Sequence, residues 1–203
     1  EVEEQYKVED IKHDRVRELL KYYNIHSNIE ICSFSGISTK GTGLGSSSTF
    51  TVGLANAFSL YSNNRELNKK ELAELACYIE IDKCYQPIGK QDQYAATFGG
   101  INFMEFYKDE HVVVNPLRIR REYIQELENN LVLFFTSTSR ASADIIKKQQ
   151  ENVHSKNNSS IEAMHKLKEQ SKQMKEALLK GNLDDIGKIL DFGFQEKKKM
   201  ADN

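Results

Sequence analysis

An α+β fold is the class this sequence predicts, on two observations. Strand-like and helix-like patterns are interspersed through residue 140, and residues 141–203 carry helical patterning alone. Val8, Ile11, Arg15, Val16, Leu19 and Leu20 fall near one face of a helix over 8–23. Residues 28–37 alternate as a strand, with Ile29 and Ile31 facing inward and Cys32 and Phe34 as further packing positions. An apolar helix follows over 50–61. Another covers 68–82, with Asn68 as N-cap, Glu71 placed for a capping box, and Leu72, Leu75, Ala76 and Ile79 as its core face. A loop through Pro87 and Gly89 carries Lys90, Gln91 and Asp92. Strands are expected at 101–107, 111–115 and 131–136, the first two flanking a turn at Lys108–Asp109–Glu110. Beyond Arg140, Ile161, Met164, Leu167, Met174 and Leu178 recur at helical spacing and read as core. The run Lys197–Lys198–Lys199 reads as a solvated helix face.

The composition restricts function. With 39% hydrophobic and 29% charged residues, the 203-residue chain has an ordinary globular profile. Its net charge of −2 gives no electrostatic case for nucleic acid or an anionic membrane as partner. No apolar run approaches the roughly 20 residues of a membrane helix, and no signal peptide is visible, so a cytoplasmic place is expected. Cys32, Cys77 and Cys84 are odd in number and form no CxxC pair. They read as buried free thiols, neither a disulfide framework nor a zinc site. The five histidines are scattered, with no HExxH motif.

The densest chemistry lies at Gly41-Thr42-Gly43-Leu44-Gly45-Ser46-Ser47-Ser48. Glycines without Cβ atoms let backbone N–H groups approach a phosphate, and the helix that follows aims its N-terminus at the same place. Serine hydroxyls add donors for phosphate oxygens and ligands for magnesium. The tail Gly-Ser-Ser is not the Gly-Lys-Ser/Thr of a Walker A loop, and the third glycine comes one residue early for a Rossmann fingerprint. Phosphoryl transfer further asks for charge neutralisation and a group to manage the acceptor's proton. Glu80 and Asp92 fit that division, Lys90 puts a cation near Asp92 in sequence, and Asp82 is the rival to Glu80. Arg140, at the end of a Thr/Ser-rich strand, is suited to a phosphate.

The glycine loop resembles the second motif of the GHMP kinases, the superfamily of galactokinase, homoserine kinase and mevalonate kinase. Thr39 stands where that motif usually has Pro, and Ser48 or Thr49 where it has Ala. The segment from Gly89 through Asp92 to Gly100 is similar to the one carrying the catalytic aspartate in galactokinase-like members. Two longer strings, 90–106 and 134–146, look like the D-glycero-D-manno-heptose 7-phosphate kinases. Fucose kinases share parts of both.

The resemblance implies a two-layer GHMP kinase-like fold, with an N-terminal ribosomal-protein-S5-like part and a partial ferredoxin-like C-terminal part. Residues 1–115 would form the ATP-binding region and 116–203 the substrate side. It implies ATP and Mg2+ as cofactors and a phosphorylated sugar as substrate. Gly41, Gly43, Leu44, Gly45, Ser46, Ser47 and Ser48 would bind nucleotide, and Ser47 and Glu80 would hold the metal. Asp92 and Lys90 would be catalytic, and Gly89, Gln91 and Arg140 would contact substrate. The implied reaction is phosphorylation of the anomeric hydroxyl of the heptose 7-phosphate. The alternatives are a fucose- or galactose-type acceptor and a non-catalytic ligand sensor. The chain starts at Glu1 without Met and lacks the superfamily's first glycine pair and C-terminal glycine-rich motif. An interior piece of such an enzyme is therefore expected.

Overall fold

The apolar residues of the first 99 positions form one core, and helices supply most of it. The computed structural model describes residues 3–34, 43–63, 65–134, 146, 149, 151–152 and 158–200. A 3-10 turn at Val8–Asp10 precedes helix α1, Asp14–Tyr22. The expected single helix over 8–23 is therefore divided. His13 Nδ1 accepts from Val16 N as the N-cap and starts the α-helical ladder afresh. Helix α2 spans Ser46–Asn63, beginning four residues ahead of the expected Phe50. Helix α3 spans Lys69–Cys77 and opens on the expected capping box: Asn68 Oδ1 accepts from Glu71 N at 3.0 Å, and Glu71 Oε2 from Asn68 N at 3.1 Å. Leu19, Leu20, Tyr23, Val52, Ala55, Phe58, Leu72, Leu75, Ala76 and Ile79 close the core between these helices.

After Cys77 the helix widens to π geometry over Tyr78–Lys83. The first unit ends in helix α4, Gln91–Phe98, stopped at Gly99 with φ 66°. The segment expected as a loop around Asp92 is thus the first turn of a helix. Its eight residues carry too few apolar positions to announce one.

The strand expected at 28–37 does not form where it is described. Ile29 and Ile31 pack against the core, but Cys32 is exposed and Phe34 is 93% exposed. A strand needs a ladder partner, and among the described residues 28–34 have none. Of the thiols, Cys77 is buried and Cys84 half-buried, and burial pushes them up to about 12 and about 11 respectively. Neither is a nucleophile at neutral pH. Cys32 departs from the expected burial.

The second compact unit begins at Gly100. Strands β1 (Asn102–Phe106) and β2 (Val112–Pro116) pair antiparallel, Met104 opposite Val114, around the expected turn. The hairpin therefore stands with the second unit, whereas the sequence placed it before a boundary at 115. Helix α5 covers Arg121–Asn130. Residues 131–134, expected as a strand, are exposed and unpaired among the described residues. Helices α6 (Asn158–Lys180) and α7 (Leu183–Lys198) pack on each other. The buried line of α6 is Ser160, Ala163, Gln170 and Ala177. Met164 is exposed, and Ile161, Leu167, Met174 and Leu178 are half-buried. The apolar stripe shares the contact with these small and polar side chains: a Cβ on Gly193 of α7 would lie 3.7 Å from Leu167 Cδ2 and 3.2 Å from Gln170 Oε1. Lys197, Lys198 and Lys199 are exposed, as expected.

Gly181 makes the turn between α6 and α7 at φ +72°, and a Cβ there would meet the Tyr123 ring at 2.6 Å. Gly181→Ala combines a left-handed backbone with overpacking, and each of these typically costs about 1–3 kcal/mol. Urea unfolding is expected to show that loss. A change under about 0.5 kcal/mol, the usual range for surface substitutions, would contradict the packing described.

Candidate active site

The glycine loop enters α2 through Gly43 and Gly45, both at positive φ (70° and 65°), which side-chain-bearing residues rarely adopt. The helical ladder begins only at Thr49, whose N–H donates to Gly45 O at 2.9 Å. The loop's mouth thus has the position of a helix start, where backbone amides favour anions. Leu44 and Ser47 are exposed, Ser46 is half-buried and Ser48 is buried. Gly41 lies outside the described residues.

Asp92 stands at this mouth. Its Cγ and Oδ2 lie 3.6 Å from where a Gly45 Cβ would be, and the side chain is exposed. Two elements far apart in sequence thus bring a carboxylate against the loop. Gly89 is exposed on the approach to α4, Lys90 is half-buried at its N-cap, and Gln91, its first residue, is exposed. Arg140 lies outside the described residues.

Behind the loop sits Glu80, with no exposed surface. Four residues after Ala76, it occupies a core-facing position, and the π turn carries it there. Its Oε1 accepts from Arg15 Nε at 2.7 Å and Ser47 Oγ at 3.1 Å. Thr51 Oγ1 is 3.0 Å from Oε1 and 3.1 Å from Ser47 O, so its one proton is shared. Oε2 accepts from Ser48 Oγ at 2.7 Å and from Gln93 Nε2. Four segments meet on this carboxylate: α1, α2, the π turn and α4. Asp82, the rival, is exposed. Arg15 was legible as an arginine on an apolar helix face, yet the sequence alone assigned it no role. Thr51 and Gln93 carried no signal beyond their neighbourhood.

Burial pushes the Glu80 carboxyl up, but the hydrogen bonds from Arg15, Ser48 and Gln93 and the Arg15 charge outweigh it and hold the group below the usual glutamate range. A depressed folded-state value means stability that is fully present above the ordinary glutamate value, about 4.3. It is lost as pH falls through the lower folded-state value. Wild-type stability is accordingly expected to fall more steeply below about pH 5 than that of Glu80→Gln, in urea titrations repeated across acid pH. Parallel pH profiles would contradict the assignment.

By type the donors suit magnesium, with Ser47 Oγ on the exposed side and Glu80, whose two oxygens already accept from side chains, buried behind it. A hydroxyl and a carboxylate are hard oxygen ligands. Ser47 Oγ, exposed and giving its proton inward to Glu80, keeps its lone pairs for a cation. Gln93 Oε1 adds a buried acceptor that finds no hydrogen-bond donor among the described residues.

Comparison with known proteins bears on this arrangement directly. Residues 11–100, which carry the loop, Glu80 and Asp92, match the GHMP kinases N terminal domain. They form a GHMP kinase N-terminal domain. The chain is also 42% identical over 162 residues to a D-glycero-alpha-D-manno-heptose 7-phosphate kinase of Campylobacter jejuni, covering 80% of this chain and 47% of that protein. A bifunctional fucokinase/GDP-fucose pyrophosphorylase of Arabidopsis thaliana is 28% identical over 153 residues, covering 74% of this chain and 14% of that protein. Among solved structures, a D-glycero-D-manno-heptose 1-phosphate kinase from Bacteriodes thetaiotaomicron superposes with a TM-score of 0.72 at 34% identity, over 92% of this chain and 54% of that one. A sugar kinase described as putative from Campylobacter jejuni gives 0.62 at 36% identity, over 87% and 50%. The GHMP kinase domain and the helices and small sheet beyond it therefore share the α+β fold of these sugar kinases. The chain spans about half the length of the heptose kinase relatives it matches.

Proposed function

We propose that this chain carries the phosphate-binding and acceptor-side machinery of an ATP-dependent sugar kinase. In this reading it phosphorylates the anomeric hydroxyl of D-glycero-D-manno-heptose 7-phosphate, giving the 1,7-bisphosphate in the cytoplasm. The observation that carries the reading is the Asp92 carboxylate lying against Gly45, at the start of α2. The amides and hydroxyls from Gly43 to Ser48 hold the nucleotide's phosphates, joined by Gly41. Asp92 accepts the proton of the acceptor hydroxyl as that oxygen bonds to the γ-phosphorus and the bond to the ADP oxygen breaks. Lys90 sits two residues away as a cation for the same site. Ser47 and Glu80 are the residues that hold Mg2+, which when bound supplies charge neutralisation on the phosphates. Gly89, Gln91 and Arg140 are assigned to the substrate, with Arg140 on its phosphate.

The 42% identity to a heptose 7-phosphate kinase favours that acceptor. The relative named for a heptose 1-phosphate and the fucokinase relative define the competing ones. ADP release by the full-length protein, measured against heptose 7-phosphate, heptose 1-phosphate, fucose and galactose, tests the reading. Turnover is expected with the 7-phosphate first. Turnover with fucose alone would move the acceptor assignment. ATP binding without turnover on any sugar would replace the kinase with a ligand sensor.

A further inference from the structure

Asp92 reaches the glycine loop from a helix start that its own backbone fixes weakly. Lys90, the N-cap of α4, makes no side-chain cap bond, and the first ladder bond, from Tyr94 N to Lys90 O, is long at 3.4 Å. The residue after Asp92 supplies what the cap does not. Gln93 stands about 100° round the helix from Asp92. It has no exposed surface, and its Nε2 donates to Glu80 Oε2. The same oxygen accepts from Ser48 Oγ at 2.7 Å, and Ser48 lies on the first turn of α2. One carboxylate oxygen thus ties the turn that carries Asp92 to the turn that follows the glycine loop.

Packing alone does not ask for an amide at this position. Gln93 Oε1 finds no donor among the described residues, and a buried acceptor left so is unfavourable. An apolar side chain of the same reach would avoid it, and Glu80 Oε2 would keep the Ser48 hydroxyl. We propose that Gln93 is a positioning residue: through Glu80 it holds the first turn of α4 against the start of α2, so that Asp92 faces the loop at the distance phosphoryl transfer needs. The inference rests on the kinase reading above and adds to it a residue that touches neither nucleotide nor sugar. Gln93 has no surface to offer either one and acts through Asp92. Such a role matters because a misplacement of about 1 Å in a reacting group can cost about 10²-fold in rate.

ADP release by the full-length protein, with ATP and whichever of the four sugars wild type turns over, tests this in a cycle of Gln93→Met, Asp92→Asn and the double variant. Methionine keeps the length of the side chain and loses the donor. Gln93→Met is expected to lower kcat by about 10- to 100-fold. Its KM for ATP and its calorimetric ATP affinity are expected to stay within about twofold of wild type. Its urea midpoint is expected to lie close to that of wild type, because the unpaired acceptor leaves together with the bond. In the Asp92→Asn background the same substitution is expected to change the residual kcat by less than about twofold, since nothing is left to position. An equal fall of kcat in both backgrounds overturns the proposal. So does a folded Gln93→Met with wild-type kcat, or one whose ATP affinity falls in step with kcat. Should Gln93→Met not fold, Gln93→Asn, which keeps the amide on a shorter stem, is read by the same criteria. Failure of both to fold places Gln93 in the core alone and overturns the proposal. No turnover by wild type on any of the four sugars removes the kinase reading and this inference with it. Wild-type turnover that Gln93→Met leaves unchanged removes the positioning role alone.

Discussion

Asp92→Asn is expected to lower turnover by about 10²–10⁴-fold, the usual contribution of a positioned general base, while ATP binding stays largely intact. The side chain lies on the first turn of α4, exposed, with its carboxyl group against Gly45. Asparagine has the same shape and keeps that contact. It cannot accept the acceptor's proton. Among the described residues, five groups bond to Glu80 and Asp92 is not one of them, so the support behind the loop is untouched. ADP release gives the first quantity and calorimetric titration with ATP the second. Loss of both in equal measure would assign Asp92 to nucleotide binding or to folding.

Glu80→Ala is expected to destabilise the protein by about 3–5 kcal/mol, the cost of removing one partner of a buried ion pair. The substitution leaves Arg15 facing Asp14 alone. It also leaves the Ser48 hydroxyl and the Gln93 amide, both buried, without their acceptor. Four segments lose the group on which they converge, so the damage does not stay local. Equilibrium unfolding in urea measures it. A loss below about 1 kcal/mol, the level of an exposed pair, would mean that the carboxylate is not the junction described.

The contrast between these residues shows what the sequence made legible. The Asn68–Glu71 capping box and the turn between β1 and β2 are local: a few neighbouring side chains decide them, and the expectation and the structure coincide. The strands expected at 28–37 and 131–136 depend on partners, and alternation reports which residues are apolar without saying what they pair with. The π turn at Tyr78–Lys83 is equally illegible, because i→i+5 bonding is set by what Glu80 must reach across the core. Helix α4 was hidden behind Pro87 and Gly89, which read as loop, and its start decides how Asp92 is presented. For the candidate site, glycine spacing and serine chemistry were visible in one short run. The meeting of Arg15, Ser47, Ser48, Thr51 and Gln93 on one carboxylate was not, since it spans residues 15 to 93. The one trace was an arginine on an otherwise apolar helix face, where a lone cation calls for a buried partner.

A crystal structure of the full-length protein with a non-hydrolysable ATP analogue and heptose 7-phosphate probes the phosphate grip and the acceptor carboxylate at once. The account predicts phosphate oxygens on the amides and hydroxyls between Gly43 and Ser48, with an Asp92 oxygen within about 3.2 Å of the anomeric hydroxyl. A nucleotide bound elsewhere, or a sugar hydroxyl out of reach of Asp92 beside a correctly seated nucleotide, would contradict it.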